Sequence, residues 1–154
     1  MKLDVWSDLV CPWCWLGKAR LERAIALSGR NVELRWRSFE LDPNAPAVVD
    51  GTLDDMLARK YGMTRERAKA SHDRLTALGA ADGLDYRFDV ARPGNTFDAH
   101  RLVHFARSER GAAGESDMQS RLMRAYGHDG KAIGDSDALI DVATAAGFDA
   151  NTVR

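Results

Sequence analysis

The pattern of apolar and polar positions at the N-terminus predicts a strand, a helix and a second strand. Leu3 to Trp6 is a short apolar run, and Val32 to Phe39 alternates strictly as far as Trp36. Between them, apolar positions recur at helical spacing from Pro12 to about Ser28, and they lie on two sides of the helix, so we expect it to be sandwiched between other elements. Gly29 is placed to end this helix. The three elements predict a βαβ unit with parallel strands and a right-handed crossover.

Beyond Pro43 and Pro46 the pattern is almost entirely helical. Glycines and capping residues set the expected bounds. The predicted segments are a helix 53–61, a helix 65–78 with Thr64 as its N-cap and Gly79 as its end, an extended segment 83–90, a turn at Pro93-Gly94, a helix 97–109 capped by Thr96, helices 116–126 and 136–146, and a last helix that begins after Asp149.

Composition and charge exclude several classes of function. The 154 residues include 22 Lys and Arg against 23 Asp and Glu, so no net field attracts nucleic acid or an anionic membrane surface. No apolar run reaches the roughly 20 residues of a membrane span. Met1 to Asp4 leads into a strand without the apolar core of a signal peptide, so we expect a cytoplasmic protein with mostly reduced thiols.

Both cysteines of the chain, Cys11 and Cys14, lie at C-x-x-C spacing between the first strand and the helix. Pro12 suits the first turn of a helix, which places Cys11 at the helix N-terminus. The free N–H groups and the dipole at that end favour negative charge and lower the pKa of a thiol there. We therefore expect Cys11 to be the attacking sulfur and Cys14 to be the shielded thiol that resolves a mixed disulfide.

Other readings of this motif are weaker. A structural zinc site needs further ligands, but the chain has no third cysteine, and its histidines, at positions 72, 100, 104 and 128, lie far away in the sequence. A c-type haem attachment needs His directly after Cys14, where Trp15 stands. Two inert, buried cysteines remain an alternative. We expect no metal and no cofactor.

Four separated motifs resemble those of the DsbA-like thioredoxin-fold oxidoreductases, specifically the FrnE-like branch. They are S-D-x-x-C-P-W-C-W-x-G-K at 7–18, R-W-R-x-F-E-L-D-P at 35–43, K-Y-G at 60–62 and N-T-x-x-A-H-R-L at 95–102. The resemblance implies an α/β protein with a thioredoxin-like βαβ unit and a large all-helical insertion. The implied divisions are 1–42 for the βαβ part, 43–148 for the insertion and 149–154 for the start of a truncated helix.

The resemblance also implies roles for individual residues. Cys11 would be the nucleophile and Cys14 the resolving thiol, with Pro12 and Trp13 tuning the redox potential. The candidates for a substrate site or a proton relay are Asp8, Trp15, Asn95, Thr96 and His100. By the residues alone, His100 and His104 are expected to form a stacked pair on one helix face.

The sequence departs from the family pattern in two ways. The C-terminal strands and helix of the fold, with the cis-proline loop before them, are missing, so we expect exposed sheet edges and a homodimer or aggregation. The acid that many thioredoxin-fold enzymes place six residues before the first cysteine is replaced by Val5, which leaves Asp8 as the nearest carboxylate.

The function that the sequence predicts is thiol:disulfide exchange through the Cys-Pro-Trp-Cys dithiol, with a protein or a small thiol or disulfide as substrate. One rival is an enzyme like the kappa-class glutathione transferases or the 2-hydroxychromene-2-carboxylate isomerases, which carry Ser at the first position. The other rival is a truncated, non-catalytic or binding protein.

Overall fold

A computed structural model describes residues 1–153. Its N-terminal part is the expected βαβ unit: strand β1 (Lys2–Ser7), helix α1 (Pro12–Ser28) and strand β2 (Glu33–Ser38). The strands are parallel, with Val5 opposite Trp36. Gly29 ends α1 in the left-handed conformation, with φ 63°. Both the elements and the bounds of α1 agree with the sequence prediction.

The remainder of the described chain is helical. The helices are α2 (Leu53–Tyr61), α3 (Arg65–Ala81), α4 (Phe97–Gly127), α5 (Ser136–Ala145) and α6 (Ala150–Val153). The backbone of α4 leaves helical geometry at Gly111, with φ 65° and ψ −156°, so α4 consists of two helical halves that meet at a kink. The two helices expected here are therefore present, but the gap between them is much shorter than predicted. None of the helices within residues 1–153 has the length and apolar character that crossing a bilayer requires.

Three local expectations were wrong. Helix α3 does not end at Gly79, which lies inside it and faces the ring of Tyr86 so closely that a Cβ atom would be 2.4 Å from a ring carbon. Within residues 1–153 the segment 83–90 pairs with no strand: its last three residues form a turn, and Arg87 N donates to Gly127 O at 2.7 Å. Pro93-Gly94 is not a turn either, because this stretch runs beside 46–49, where Val49 N donates to Pro93 O at 2.8 Å. In each case a contact with another part of the chain explains why the local prediction failed.

The predicted helix caps have mixed outcomes. Thr64 caps α3 by accepting from Arg67 N at 3.2 Å, and Asp149 accepts from two backbone N–H groups at the start of α6. Thr96 stands at the N-cap position of α4, but its hydroxyl makes no capping hydrogen bond. The neighbouring Asn95 accepts from Phe97 N at 2.8 Å instead.

Helix α1 is buried only over its first turns, so the expected sandwich along its whole length is not found. Its first two turns bury Trp15 and Leu16, whereas Leu27 near its end is 81% exposed. The core lies instead around α4, where Met118 and Leu122 are fully buried. The first turns of α1, which contain the cysteines, therefore rest on the helical part of the chain.

Buried charged groups join the βαβ unit to α4. Glu115, 1% exposed, accepts from the backbone N–H of Trp36 at 3.3 Å and pairs with Arg107 at 2.6 Å. Lys18, 2% exposed, donates to Ser116 Oγ at 2.7 Å. Because a buried charge is stable only when it is paired, these contacts fix how α4 sits against the sheet.

Candidate active site

Cys11 is the N-cap residue of α1, with extended backbone (φ −85°, ψ 113°), and Pro12 is the first helical residue. The carbonyl of Cys11 accepts from Cys14 N at 3.0 Å and from Trp15 N at 3.2 Å. Both cysteines are half-buried and reduced. The placement expected from Pro12 is therefore found, and both thiols lie at the N-terminal end of the helix.

The two thiols lie near each other, and this contact is the largest influence on the ionisation of both. It raises the pKa of the Cys11 thiol, which burial raises further, while the N–H groups of Cys14 and Trp13 act in the opposite direction. The same contact lowers the pKa of Cys14 to about 6 against the cost of burial, with help from the Asp8 N–H and the Ser7 hydroxyl. The two thiols therefore titrate as a pair, in which the proton held by one sulfur stabilises the thiolate on the other.

Asp8 connects the loop before Cys11 to the rest of the protein. Its side chain is 1% exposed. Oδ1 accepts from Leu9 N at 2.7 Å, and Oδ2 accepts from Leu41 N at 2.7 Å. His100 Nε2 lies 3.3 Å from Oδ1. Burial alone would raise the pKa of Asp8, but hydrogen bonds from His100, the Leu41 N–H and Thr96 outweigh it and lower that pKa.

Among the other residues of the 95–102 motif, Thr96 lines the cavity beside Cys11, and two further side chains contact the segment after β2. His100 is also 3.1 Å from Phe39 O, whereas His104 contacts Ser38 at 2.8 Å, so the two histidines do not form the expected stacked pair. The amide of Asn95 donates to Glu40 at 3.4 Å. These side chains therefore hold the segment after β2 beside the active-site loop.

The two tryptophans of the motif occupy different environments. Trp13 is 57% exposed and lies at the rim of a cavity. Trp15 is 9% exposed and packs edge-on against Tyr86, with ring centroids 5.0 Å apart. Trp15, expected as a candidate for the substrate site, is thus placed in the core beneath the thiols.

Three residues near the thiols were missed by sequence reasoning. The hydroxyl of Tyr86 donates to Pro12 O and so supports the first turn of α1. Ser7 is 2% exposed, and its hydroxyl has no hydrogen-bond partner of acceptable geometry among the described residues. The hydroxyl nevertheless lies close enough to Cys14 to lower the pKa of that thiol. Tyr126, 5% exposed, lines the cavity, and burial raises its pKa. Neither tyrosine lies in a recognisable motif.

A cavity of about 440 Å³ opens beside Cys11. The active-site loop forms one wall, and α2, α3 and the segments around Val49 and Pro93 form the others. Cys11 belongs to the lining, whereas Cys14 does not. Within residues 1–153, no three His, Cys, Asp or Glu side chains are grouped closely enough to hold a metal ion.

A family model described as a DSBA-like thioredoxin domain matches residues 2–154. The uncharacterized protein YwbO of Bacillus subtilis is 30% identical over 148 residues, which cover 96% of this chain and 66% of that protein. The crystal structure of a probable DsbA oxidoreductase, SCO1869 from Streptomyces coelicolor, superposes with a TM-score of 0.89 at 41% identity, covering 100% of this chain and 66% of the other.

A more distant structure shares the fold. The cytosolic disulfide reductase DsbM from Pseudomonas aeruginosa superposes with a TM-score of 0.65 at 19% identity, covering 96% of this chain and 64% of that one. The chain thus spans about two thirds of the length of the relatives it matches.

Proposed function

The chain belongs to the DSBA-like thioredoxin domain family, and from this premise we propose that it is a thiol:disulfide oxidoreductase that works through Cys11 and Cys14. The observation that supports this most directly is the pair of neighbouring, unbridged cysteines at the start of α1, with Cys11 in the lining of the cavity. We place the chain in the FrnE-like branch on the strength of its four motifs.

In the proposed reaction, Cys11 attacks the substrate disulfide. The proton that the two sulfurs share moves to Cys14 as the charge shifts to Cys11, the sulfur that a substrate in the cavity can reach. The Cys11 thiolate forms a bond to one substrate sulfur, and the other substrate sulfur leaves as a thiolate. Cys14 then loses its proton and attacks Cys11, which releases the second substrate thiolate. The dithiol gives up two electrons and ends as a disulfide, and the substrate is reduced to two thiols.

The network around Asp8 has a positioning role in this proposal. By binding Leu9 N and Leu41 N, Asp8 fixes the loop that aims Cys11 at the cavity. Thr96 and His100 in turn hold Asp8 in its ionised form. Because none of these side chains is hydrogen-bonded to a sulfur, we assign them to loop geometry and not to proton transfer.

A single-turnover assay with a short peptide disulfide tests the proposal. The reduced protein should convert one equivalent of the peptide disulfide to thiols. Cys11→Ser should abolish the reaction, and Cys14→Ser should stop at a mixed disulfide on Cys11 that mass spectrometry detects. Each variant serves as the control for the other, because each removes one sulfur from the same helical turn.

The same assay separates the rival functions. A transferase, an isomerase or a binding protein would convert no peptide disulfide to thiols, in the wild type or in either variant. That result would refute the proposed function.

A further inference from the structure

We propose that the cavity beside Cys11 selects disulfides whose sulfur carries a bulky, uncharged, apolar group, and that it excludes substrates with carboxylates next to the sulfur. This inference rests on the proposed function and names the substrate class of the same site. Four features support it: the size of the cavity, its apolar wall, the pairing of its charged groups and the position of Cys11.

The size of the cavity fits a large group. A cavity of roughly 150 Å³ holds one benzene molecule, and this cavity, at about 440 Å³, is about three times larger. It lies within the usual range of sites for small molecules. A single methyl or hydroxymethyl group would leave most of the space filled with water.

The wall of the cavity is mainly apolar. Its apolar side chains come from the segment before α2, from α2, from the segment between α2 and α3, and from α3, and they include Val49, Leu53, Met56, Leu57, Met63 and Leu75. Two of these are methionines, whose unbranched side chains adapt to ligands of different shape. The wall therefore favours burial of an apolar group and selects only weakly for the shape of that group.

The charged groups that face the cavity already have partners. Lys60, its only lysine or arginine within the described residues, pairs with Asp42 at 3.0 Å. His72 Nδ1 lies 2.7 Å from Asp54 Oδ1. Asp8 is buried in the hydrogen bonds described above. A substrate carboxylate would therefore find no unpaired cation in the cavity, so nothing would offset the free energy that the carboxylate loses on leaving water.

The position of Cys11 connects this cavity to the reaction. Cys11, Pro12 and Trp13 belong to the lining, so a substrate sulfur bonded to Cys11 would direct its attached group into the cavity. The group that enters stays on the protein through the mixed disulfide, and the other half of the substrate leaves first as a thiolate. The cavity thus acts on the half of the substrate that Cys14 later releases.

Matched peptide disulfides test this selection. The probes are the symmetric disulfides of N-acetyl-Cys-Phe-amide and N-acetyl-Cys-Glu-amide, whose sulfurs are chemically alike. Burial of the phenyl ring should make the single-turnover reduction of the Phe peptide roughly 10-fold or more faster.

Variants in the cavity wall locate the preference. Met56→Lys should lower the rate with the Phe peptide roughly 10-fold and raise the rate with the Glu peptide. Ala70→Lys, on the exposed side of α3 and outside the lining, is the matched control and should change neither rate. If Met56→Lys does not fold by circular dichroism, Met63→Lys introduces the same charge from a segment between helices.

The outcomes distinguish the two proposals. Equal rates for the two peptides, or a Phe preference that the wall variants leave unchanged, would overturn the substrate class while the exchange reaction stands. If neither peptide is reduced by the wild-type protein, the proposed function fails together with this inference.

Discussion

Replacing Asp8 by asparagine tests whether its carboxylate holds the active-site loop in place. The substitution keeps the size of the side chain but removes the charge and one acceptor. In the structure, Oδ1 lies 2.7 Å from Leu9 N and Oδ2 lies 2.7 Å from Leu41 N. Whichever way the amide of an asparagine turns, its NH₂ group therefore faces a backbone N–H, and one buried donor loses its partner.

The magnitude of the effect can be worked out from these contacts. A hydrogen bond to a charged group contributes roughly 1.5–3 kcal/mol, and an unpaired buried donor costs roughly 1–3 kcal/mol. We expect Asp8→Asn to lower the free energy of unfolding by about 3 kcal/mol. In a chain of this length each kcal/mol shifts Tm by roughly 2–4 °C, so Tm should fall by about 6–12 °C.

Urea and thermal unfolding at pH 7, followed by circular dichroism, measure this change. Asp4→Asn is the matched control, because Asp4 is 40% exposed and pairs with Arg37 on the surface at 2.6 Å. A surface pair of this kind is worth less than about 1 kcal/mol. If Asp8→Asn destabilised the protein no more than Asp4→Asn does, the assigned role of Asp8 would be wrong.

The pH dependence provides an independent check. The pKa of Asp8 in the folded protein is lowered from its ordinary value of 3.8. Its stabilising contribution is therefore complete above pH 3.8 and is lost as the pH falls through the lower, folded value. The difference in stability between the wild type and Asp8→Asn should accordingly be constant near neutral pH and narrow below about pH 4. A difference that stays constant into strong acid would show that the charge of Asp8 is not the cause.

Three further changes have expected outcomes. The Cβ atom introduced by Gly79→Ala would lie 2.4 Å from an aromatic ring carbon, so this change should lower the free energy of unfolding in urea titrations by roughly 1–3 kcal/mol. Gly17 has no neighbouring atom within 4 Å of such a Cβ position, so Gly17→Ala should raise the free energy of unfolding by up to about 1 kcal/mol. Alkylation of Cys14 should accelerate as the pH rises through about 6, and Cys11→Ala should move that inflection to higher pH because the neighbouring thiol that lowers the pKa is gone; an unmoved inflection would contradict the coupling of the two thiols. The dithiol should equilibrate with glutathione between about −270 and −120 mV, and Trp13→His should shift it toward the oxidising limit, a result whose absence would show that this position does not set the potential.

The sequence by itself determined the local features of the protein. Pro12 at the first helical position and Gly29 just past the end of α1 act through backbone geometry within one turn, so both ends of that helix could be read directly. The alternation that ends at Trp36 identified β2, because the two-residue period of a strand is also a local property of the chain. Pro12 also placed Cys11 at the N-cap, because that placement depends only on neighbouring residues.

Tertiary structure decided how distant residues act on the thiols. Asp8 meets Leu41 and His100 only after the chain folds, so its role as an anchor had no sequence signal beyond its place in a motif. The acidity of the thiols followed the same rule, since the Cys11 thiol, burial and the Ser7 hydroxyl all act on the pKa of Cys14. A pKa depends on every group within a few ångströms, and only packing determines which groups those are.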